Sequence, residues 1–251
     1  MSDTLLQIDG LTKRYGGLIV TNTLDLAIRR GETHALIGPN GAGKTTLIAQ
    51  IQGELPSDSG QIRFDNADIT RDPPHRRARR GIARTFQITS IFPEYSVLIN
   101  VALARQAALG DGMRFWAPVE SDETLLAPAR AALAEVGLSD RLAFAAQDLS
   151  HGERRQLELA MALAMQPRLL LLDEPMAGMG RQDCAKLEQL LAQLKQRYTI
   201  LLVEHDMGAV FALADRITVL VAGQAIATGC PDDIRNDSRV RDAYLGHSTA
   251  Q

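Results

Sequence analysis

The chain has 251 residues, of which 45% are hydrophobic and 23% are charged. These proportions are ordinary for a soluble globular protein with a sizeable core, built as one domain with subdomains or as two small domains. The formal net charge of -3 argues against a protein that lives on a polyanion, so nucleic acid is not an expected partner.

The two cysteines, Cys184 and Cys230, are too few for a disulfide framework or a cysteine zinc site. The first residues lack a basic region followed by an apolar stretch, and no run approaches the ~18 apolar residues of a membrane span. We therefore expect a cytosolic chain, which could act at a membrane only through another subunit.

Antiparallel β structure is predicted at the start of the chain, over residues 4 to 31. Leu24, Leu26 and Ile28 alternate with more polar or smaller residues, which is the period of a half-buried strand, and Gln61 to Asp65 repeats that alternation. Tyr15 stands beside two glycines in this region. It could stack on a purine ring or pack on its own sheet as a turn tyrosine, and the residues alone favour neither.

A glycine loop follows a short apolar strand, Thr33 to Ile37, and precedes a helix predicted from Thr45 to Gln52. The loop matches the phosphate-binding pattern G-x-x-x-x-G-K-[ST], in which backbone N–H groups and a helix N-terminus surround a phosphate. We predict that Lys44 reaches the β- and γ-phosphates and that the Thr45 hydroxyl binds Mg²⁺. The predicted nucleotide-binding residues of the loop are Gly38, Pro39, Asn40, Gly41, Ala42, Gly43, Lys44, Thr45 and Thr46.

The middle of the chain changes from arginine-rich to alanine-rich. The arginines between Arg71 and Arg84 are typical of a solvated helix face, and less often of contact with an acidic partner or lipid headgroups. Gly81 to Gln87 is a candidate strand. Residues from about 88 to 150 favour a helical subdomain, with helices at Val97 to Ala108 and Glu123 to Val136. In its predicted loops Phe92 and Tyr95 are either core residues or a partner-binding surface.

Leu149 to Glu153 opens a predicted amphipathic helix. Ser150 and Glu153 are spaced as a capping box, and this role alone would account for both residues. The segment therefore indicates a function only together with other motifs.

Two apolar strands each end in acidic or imidazole side chains. Four leucines lead into Asp173 and Glu174, a pattern typical of a central parallel strand whose carboxyl end shares an edge with the phosphate loop. Asp173 could hold Mg²⁺ through water, and Glu174 could accept a proton from the water that attacks the γ-phosphate. The strand Thr199 to Val203 delivers His205 to the same edge, where it could hydrogen-bond the γ-phosphate.

The rest of the chain continues the alternation of helices and strands. We predict an amphipathic helix over Lys186 to Gln196, a strand over Ile217 to Val221, and a tail from Pro231 that is helical and then frayed. The whole is expected to be one domain over residues 1–246, with 247–251 as the frayed tail.

Taken together, these motifs resemble the ATP-binding subunit of ABC transporters. The resemblance extends from Leu5 to Gly246 and depends on the order of Tyr15, Gly38 to Thr46, Gln87, Leu149 to Glu153, Leu169 to Glu174, and His205. It implies an α/β fold: a P-loop NTPase core with a mainly parallel sheet, an antiparallel β subdomain and a helical subdomain. It also implies an ATP hydrolase coupled to transmembrane transport, with ATP and Mg²⁺ as cofactors.

The resemblance assigns roles that the residues alone do not. It implies that Gln87 contacts Mg²⁺ and the attacking water and links ATP to the membrane subunits. It implies that Ser150 and Gly152 bind the γ-phosphate of ATP held by a second, facing subunit, so that two subunits close over two ATP molecules. The implied partners are transmembrane permease subunits, the second ATP-binding subunit in a homodimer or heterodimer, and indirectly a solute-binding protein, at the cytoplasmic face of the inner membrane.

Three segments are similar to the branched-chain amino acid uptake branch of the family: Gly81 to Phe92, Val203 to Met207 and Ala243 to Gly246. A related branch energises lipopolysaccharide export, and the insertion around Phe115 and Trp116 favours the first. Non-transport ABC ATPases of DNA repair or translation usually carry coiled-coil arms, paired ATPase domains or a basic extension. A regulatory module that never hydrolyses ATP would not need the acid and the imidazole at the strand ends.

The sequence departs from the general family pattern in two places. His151 and Glu153 stand where the pattern has glycine and glutamine, and Gly180 stands where many members have an aspartate that helps to couple the two sites. The sequence therefore does not decide whether the two ATP sites of a dimer communicate, and a heterodimer with unequal sites is one alternative.

Overall fold

Two β-sheets and the helices around them make up the protein, in a computed structural model that describes residues 3–85, 91–110 and 119–245. The strands are β1 (Thr4–Tyr15), β2 (Leu18–Arg29), β3 (Thr33–Ile37), β4 (Ser59–Phe64), β5 (Ala67–Asp68), β6 (Ile82–Arg84), β7 (Leu169–Asp173), β8 (Thr199–Val203), β9 (Arg216–Val221) and β10 (Gln224–Gly229). The α-helices are α1 (Lys44–Gln52), α2 (Pro74–Arg79), α3 (Val97–Leu109), α4 (Glu123–Glu135), α5 (His151–Ala164), α6 (Arg181–Leu194), α7 (Met207–Leu213), α8 (Pro231–Asn236) and α9 (Ser238–Leu245). Short 3-10 turns lie at Val119–Ser121, Ser139–Arg141 and Ala146–Asp148.

The first sheet is antiparallel and has the strand order β2-β1-β4-β5. In β2 the side chains of Leu24, Leu26 and Ile28 are buried, as their alternation with polar and small residues requires. The predicted antiparallel region over residues 4 to 31, and its continuation after residue 60, are confirmed.

The second sheet has the order β10-β9-β3-β8-β7-β6, with β10 antiparallel to β9 and the other neighbouring strands parallel. Leu170 and Leu172 of β7 face one hydrophobic core, and Leu169 and Leu171 face another. A strand buried on both faces is apolar throughout, which explains its run of leucines. The predicted mainly parallel core is therefore confirmed, while β10 lies outside the sequence-based prediction.

The helix that follows the phosphate loop packs between the two sheets. Leu47, Ile48 and Ile51 of α1 share one core with Leu6 and Ile62 of the antiparallel sheet, and with buried residues of β7 and β8. This burial fixes the axis of α1, and so fixes the direction in which its N-terminus points.

A buried arginine closes the other end of α1. Arg77 of α2 is 2% exposed and donates hydrogen bonds to the carbonyl oxygens of Gln50, Ile51, Thr70 and Asp72. Burial lowers the pKa of Arg77 to about 10, although the carboxylates of Asp72 and Asp68 oppose that shift. A cation at a helix C-terminus satisfies carbonyl groups that have no partner inside the helix. The prediction that this arginine lies on a solvated helix face is therefore wrong.

Helices α3 and α4 pack on α5. Val101 of α3, Leu133 of α4 and Leu157 of α5 belong to one buried cluster, and side chains of Ser96, Asp122 and Ser150 cap the three helix N-termini. The predicted bounds of α3 and α4 are correct to within one residue. The limits of a helical subdomain at about 88 and 150 stay a prediction.

The C-terminal helices α8 and α9 confirm the helical part of the predicted tail, and Ile234 and Val240 pack against β9 in a third core. Residues 246–251, where the frayed end was predicted, lie outside the described residues. Within the described part of the chain, no helix combines the length and the apolar character that crossing a membrane requires.

Candidate nucleotide-binding site

The glycine loop connects β3 to α1, and close approach of other strands fixes its shape. A Cβ added to Gly38 (φ 155°) would lie 2.1 Å from the carbonyl oxygen of Leu220, and one added to Gly43 (φ 101°) would lie 2.4 Å from that of Val20. Gly41 (φ 79°) has open space but a backbone conformation that favours glycine. The neighbouring strands therefore require glycine at two of these positions independently of any ligand.

Lys44 begins α1 and folds over the loop. Its Nζ donates hydrogen bonds to the carbonyl oxygens of Gly38 at 2.7 Å and Pro39 at 3.2 Å, and the residue is 8% exposed. Burial lowers its pKa, and the carboxylates of Glu174 and Asp173 oppose this shift by favouring the charged form. The lysine thus lies within electrostatic range of both acids at the end of β7.

Asp173 is the last residue of β7 and is almost completely buried. Its Oδ2 accepts a hydrogen bond from Nη2 of Arg84 at 2.8 Å. Its Oδ1 is buried and has no hydrogen-bond partner among the described residues. Burial raises the pKa of Asp173, and the Arg84 guanidinium opposes that shift.

The next residue, Glu174, has a left-handed backbone conformation with φ of 48°. This conformation is uncommon for a residue with a side chain and is often found at functional sites. The N–H of Glu174 donates to the carbonyl oxygen of Val203 at 2.8 Å, which keeps the turn attached to β8. Its Oε1 lies 3.8 Å from Nδ1 of His205, whose side chain is 65% exposed.

The buried carboxylate of Glu204 fixes the backbone near Glu174 and His205. Glu204 is 1% exposed, and its two oxygens accept hydrogen bonds from the backbone N–H groups of Met176 at 3.0 Å and His205 at 3.1 Å. It therefore ties the segment after β7 to the segment after β8. The sequence interpretation gave this residue no role, although an acid that directly follows a fully apolar strand was a signal that could have identified it.

Four other predicted residues are accessible or partly accessible. Tyr15 ends β1 and is 52% exposed, with Nζ of Lys13 5.7 Å from its ring centroid. This exposure does not support the alternative of a turn tyrosine packed on its own sheet. Thr45 in the first turn of α1 is exposed and Thr46 is partly so, while Asn40 is exposed within the loop.

Ser150 and Gly152 lie at the N-terminus of α5, where the predicted capping box is present: Ser150 Oγ accepts from Glu153 N, and Oε2 of Glu153 accepts from Ser150 N. They line a surface cleft between α5 and α6. The cleft's described lining residues are Ser150, Gly152, Glu153, Gln156, Met179, Asp183, Lys186 and Leu187. The lining thus includes none of the described phosphate-loop residues.

The structure therefore brings together the glycine loop with Lys44, and Asp173, Glu174 and His205. It does not place Ser150 and Gly152 in contact with them. Gln87 lies outside the described residues, as do Phe115 and Trp116. Arg84 was missed because it was grouped with an arginine-rich run, although its position in a candidate strand distinguished it from the helical arginines.

Comparison with known proteins identifies the family. The sequence profile of the family described as "ABC transporter" matches residues 21–177. This chain belongs to the ABC transporter family. A second profile, "Branched-chain amino acid ATP-binding cassette transporter", matches residues 226–250 of the cassette.

Relatives of this cassette match it over almost its whole length. The high-affinity branched-chain amino acid transport ATP-binding protein LivG of Salmonella typhimurium is 37% identical over 99% of this chain and 100% of its own. The corresponding protein BraF of Pseudomonas aeruginosa is 36% identical with the same coverage. The crystal structure of the ADP conformation of MJ1267, an ATP-binding cassette of an ABC transporter, superimposes with a TM-score of 0.86 at 29% identity, over 98% of this chain and 100% of that one. The predicted P-loop NTPase core is therefore confirmed, and the protein is an ATP-binding and ATP-hydrolysing subunit.

Proposed function

We propose that this cassette is the ATPase subunit of an importer for branched-chain or related amino acids, working at the cytoplasmic face of the inner membrane. Two named relatives act in branched-chain amino acid transport, and the profile over residues 226–250 bears the same name. These matches favour the importer over the lipopolysaccharide-type exporter and over a non-transport ATPase.

One observation carries the catalytic part of the proposal: a single edge of the parallel sheet collects a lysine, two acids and an imidazole. Lys44, Asp173 and Glu174 act on one another electrostatically, and Glu174 lies 3.8 Å from His205. Phosphoryl transfer depends mainly on positioning and on compensation of phosphate charge, and these groups can supply both.

Each residue has a role that its position supports. The loop amides and Lys44 bind the β- and γ-phosphates, and Tyr15 offers an exposed ring for the adenine. Glu174 accepts the proton of the attacking water, and His205 donates a hydrogen bond to the γ-phosphate. Glu204 holds the backbone near these two residues by accepting hydrogen bonds from the N–H groups of Met176 and His205.

The residues present fit a magnesium ion. Mg²⁺ binds through one or two protein oxygens together with phosphate oxygens and water, so a site lacking a cluster of acids is ordinary. The accessible hydroxyl of Thr45 and the unpartnered Oδ1 of Asp173 are such oxygens. When bound, the ion would neutralise charge on the β- and γ-phosphates. Gln87 is proposed as a further ligand from the family resemblance alone.

The second half of the ATP site is proposed to come from another subunit. Ser150 is exposed at the start of a 14-residue helix and Gly152 is buried two residues further on, close to the carboxylate of Asp183. Backbone N–H groups and the helix dipole favour an anion at such a helix start. In a closed pair of cassettes this helix end would meet the γ-phosphate held by the facing loop.

An exposed aromatic pair supports contact with the permease subunits. Phe92 and Tyr95 are each 52% exposed, with ring centroids 5.6 Å apart. They are therefore not core residues, and of the two alternatives open at the sequence level the partner-binding surface is the one we propose. They follow the segment of Gln87, which the resemblance connects to the membrane subunits.

Reconstitution tests the transport proposal. The cassette, purified with its permease subunits and placed in vesicles, should take up radiolabelled leucine, isoleucine or valine when ATP and the cognate binding protein are present. A complex carrying Glu174→Gln is the control and should not transport. Binding-protein ligands of another chemical class would overturn the assigned solute, and outward transport would overturn the direction.

A second test concerns the aromatic pair. Replacing Phe92 and Tyr95 by serine should abolish co-purification with the permease and leave ATP binding unchanged. Leu109→Ser removes another exposed apolar side chain and is the matched control. Equal loss of the permease from both variants would argue against a specific surface.

A further inference from the structure

Arg84 is a buried arginine at the end of β6, and its guanidinium bridges two elements of the nucleotide site. Its side chain is 9% exposed. Nη2 donates to Oδ2 of Asp173 at 2.8 Å, and Nη1 donates to Oε1 of Gln52 at 2.6 Å, with Oε2 of Glu54 3.4 Å away. The arginine is thus bonded both to the end of β7 and to the C-terminal end of α1.

The parallel register explains how one side chain reaches so far. Arg84 of β6 lies opposite Leu171 of β7, two residues before Asp173. The arginine side chain therefore extends forward along the strands to meet the carboxylate. A guanidinium presents its N–H groups in a rigid plane, so two fixed acceptors define its orientation and that of the carboxylate it binds.

The consequence for Asp173 is that its two oxygens become different. Oδ2 is occupied by Arg84, whereas Oδ1 is buried with no hydrogen-bond partner among the described residues. Turning the carboxylate plane away from Arg84 would break this bond, so the arginine fixes the direction in which the remaining oxygen faces another ligand.

We propose that Arg84 is a positioning residue for magnesium: it holds Asp173 in the one orientation that presents Oδ1 to the ion or to a water on it. The inference rests on the proposed magnesium site. The contact of Arg84 with Gln52 gives the arginine a second role in positioning, because Gln52 belongs to α1 and the first turn of α1 carries Thr45. By joining α1 to the end of β7, Arg84 fixes the separation of the two predicted magnesium-binding side chains.

Charge and geometry make opposite predictions, which allows a decisive test. If Arg84 were only a nearby positive charge, it would repel a divalent cation, and removing it would tighten metal binding. If it positions Asp173, changing its shape at constant charge will weaken metal binding. Arg84→Lys makes that change, since a compact ammonium cannot hold Asp173 and Gln52 in the fixed fork of a guanidinium.

The experiment measures binding rather than turnover. Mn²⁺ is titrated into protein saturated with a nonhydrolysable ATP analogue and followed by electron paramagnetic resonance. We expect Arg84→Lys to weaken Mn²⁺ binding by about 10-fold, the lower end of what loss of a partner of a metal ligand costs. Affinity for the analogue in EDTA, which removes the metal, should be unchanged, because Arg84 hydrogen-bonds to Asp173 and not to the described residues of the phosphate loop. The matched control is Arg80→Lys, which alters an exposed arginine paired with Asp72 at 2.9 Å.

Each outcome has a meaning. Unchanged or tighter Mn²⁺ binding in folded Arg84→Lys overturns the positioning role and leaves the proposed function intact. Failure of the wild-type protein to bind Mn²⁺ with the analogue overturns the magnesium site itself, and the inference with it. If Arg84→Lys does not fold, Gln52→Ala is used instead, because it releases one end of the guanidinium and should weaken Mn²⁺ binding in the same direction; normal binding in that variant would overturn the proposal.

Discussion

The carboxyl edge of the parallel sheet and the N-terminus of α5 are each predicted to meet a γ-phosphate, the first in its own subunit and the second in a facing subunit, and they are built differently. At the sheet edge the charged groups are buried or interconnected: Lys44 bonds to the loop, Asp173 to Arg84, and Glu174 lies near His205. At the start of α5, Ser150 is exposed, and among the described residues its side chain hydrogen-bonds within the local capping box.

The difference is the one that the proposed division of the site between two subunits would require. A group that must hold its geometry within one chain is fixed by packing, as the strand ends are by burial on both faces of the sheet. A group that must meet a ligand carried by another molecule has to remain on the surface. The contrast therefore supports a composite site, and variants at each region should fail in different ways.

The largest effect is expected for Lys44→Ala at the sheet edge. It removes charge-assisted hydrogen bonds to two phosphates, which corresponds to roughly 3 kcal/mol or more and to a loss of ATP affinity of about a hundred-fold or greater. Isothermal titration with ATP measures the loss. Lys195→Ala, which removes a lysine bonded to Asp215 and to the carbonyl of Leu213, should bind ATP normally. Unchanged ATP affinity in Lys44→Ala would contradict the phosphate-binding role of Lys44 and its loop.

Glu174→Gln should affect turnover while sparing binding. The amide keeps the size of the side chain but cannot accept the proton of the attacking water, so kcat should fall by roughly 10²- to 10⁴-fold. With ATP bound and not hydrolysed, the closed dimer should accumulate and appear in size-exclusion chromatography. The double variant with Lys44→Ala should stay monomeric. Full ATPase activity in Glu174→Gln would overturn the assignment of the base.

Ser150→Ala tests the N-terminus of α5 and should have two smaller effects, one on stability and one on the ATP-dependent dimer. Loss of the cap should cost about 1 kcal/mol of stability, because the N–H of Glu153 loses its acceptor. Loss of the phosphate contact should weaken the ATP-dependent dimer by about ten-fold when measured in the Glu174→Gln background.

Ser96→Ala separates these two kinds of effect. Ser96 caps α3 through the N–H of Ile99 in the same way, so its loss should lower the melting temperature similarly. Its removal should not change dimer formation. Equal weakening of the dimer by both variants would show that Ser150 acts only through helix stability.

Local patterns predicted much of this architecture. The leucine run of β7, the glycine loop and the capping box of α5 were identified because each is encoded by neighbouring residues. The start of α6 was placed at Lys186 instead of Arg181, since the first turn is polar and the apolar periodicity begins only at Leu187.

The buried cations could not be predicted in the same way. Arg84 is buried because Asp173, 89 residues further along the chain, and Gln52 surround it in the fold. Arg77 is buried because it meets the end of α1. From the sequence each is one arginine among several, and burial of a charge depends on partners that only the tertiary structure brings together.

The smallest effect is expected for Gly180→Asp, at the start of α6. Gly180 is the N-cap of α6, with φ of -71°, and a Cβ added to it would have no described atom beyond its chain neighbours within 4 Å, so an aspartate fits without strain. As an N-cap, aspartate should stabilise the helix by a few tenths of a kcal/mol relative to glycine, whereas Gly180→Ala should destabilise it. Thermal melting of the two variants measures this difference.

The same substitution tests coupling across the dimer. If the glycine at this position weakens communication between two ATP sites, Gly180→Asp should raise the Hill coefficient of ATP hydrolysis, and Gly180→Ala should not. A gain in stability with no change in cooperativity would mean that the residue acts only as the cap of α6.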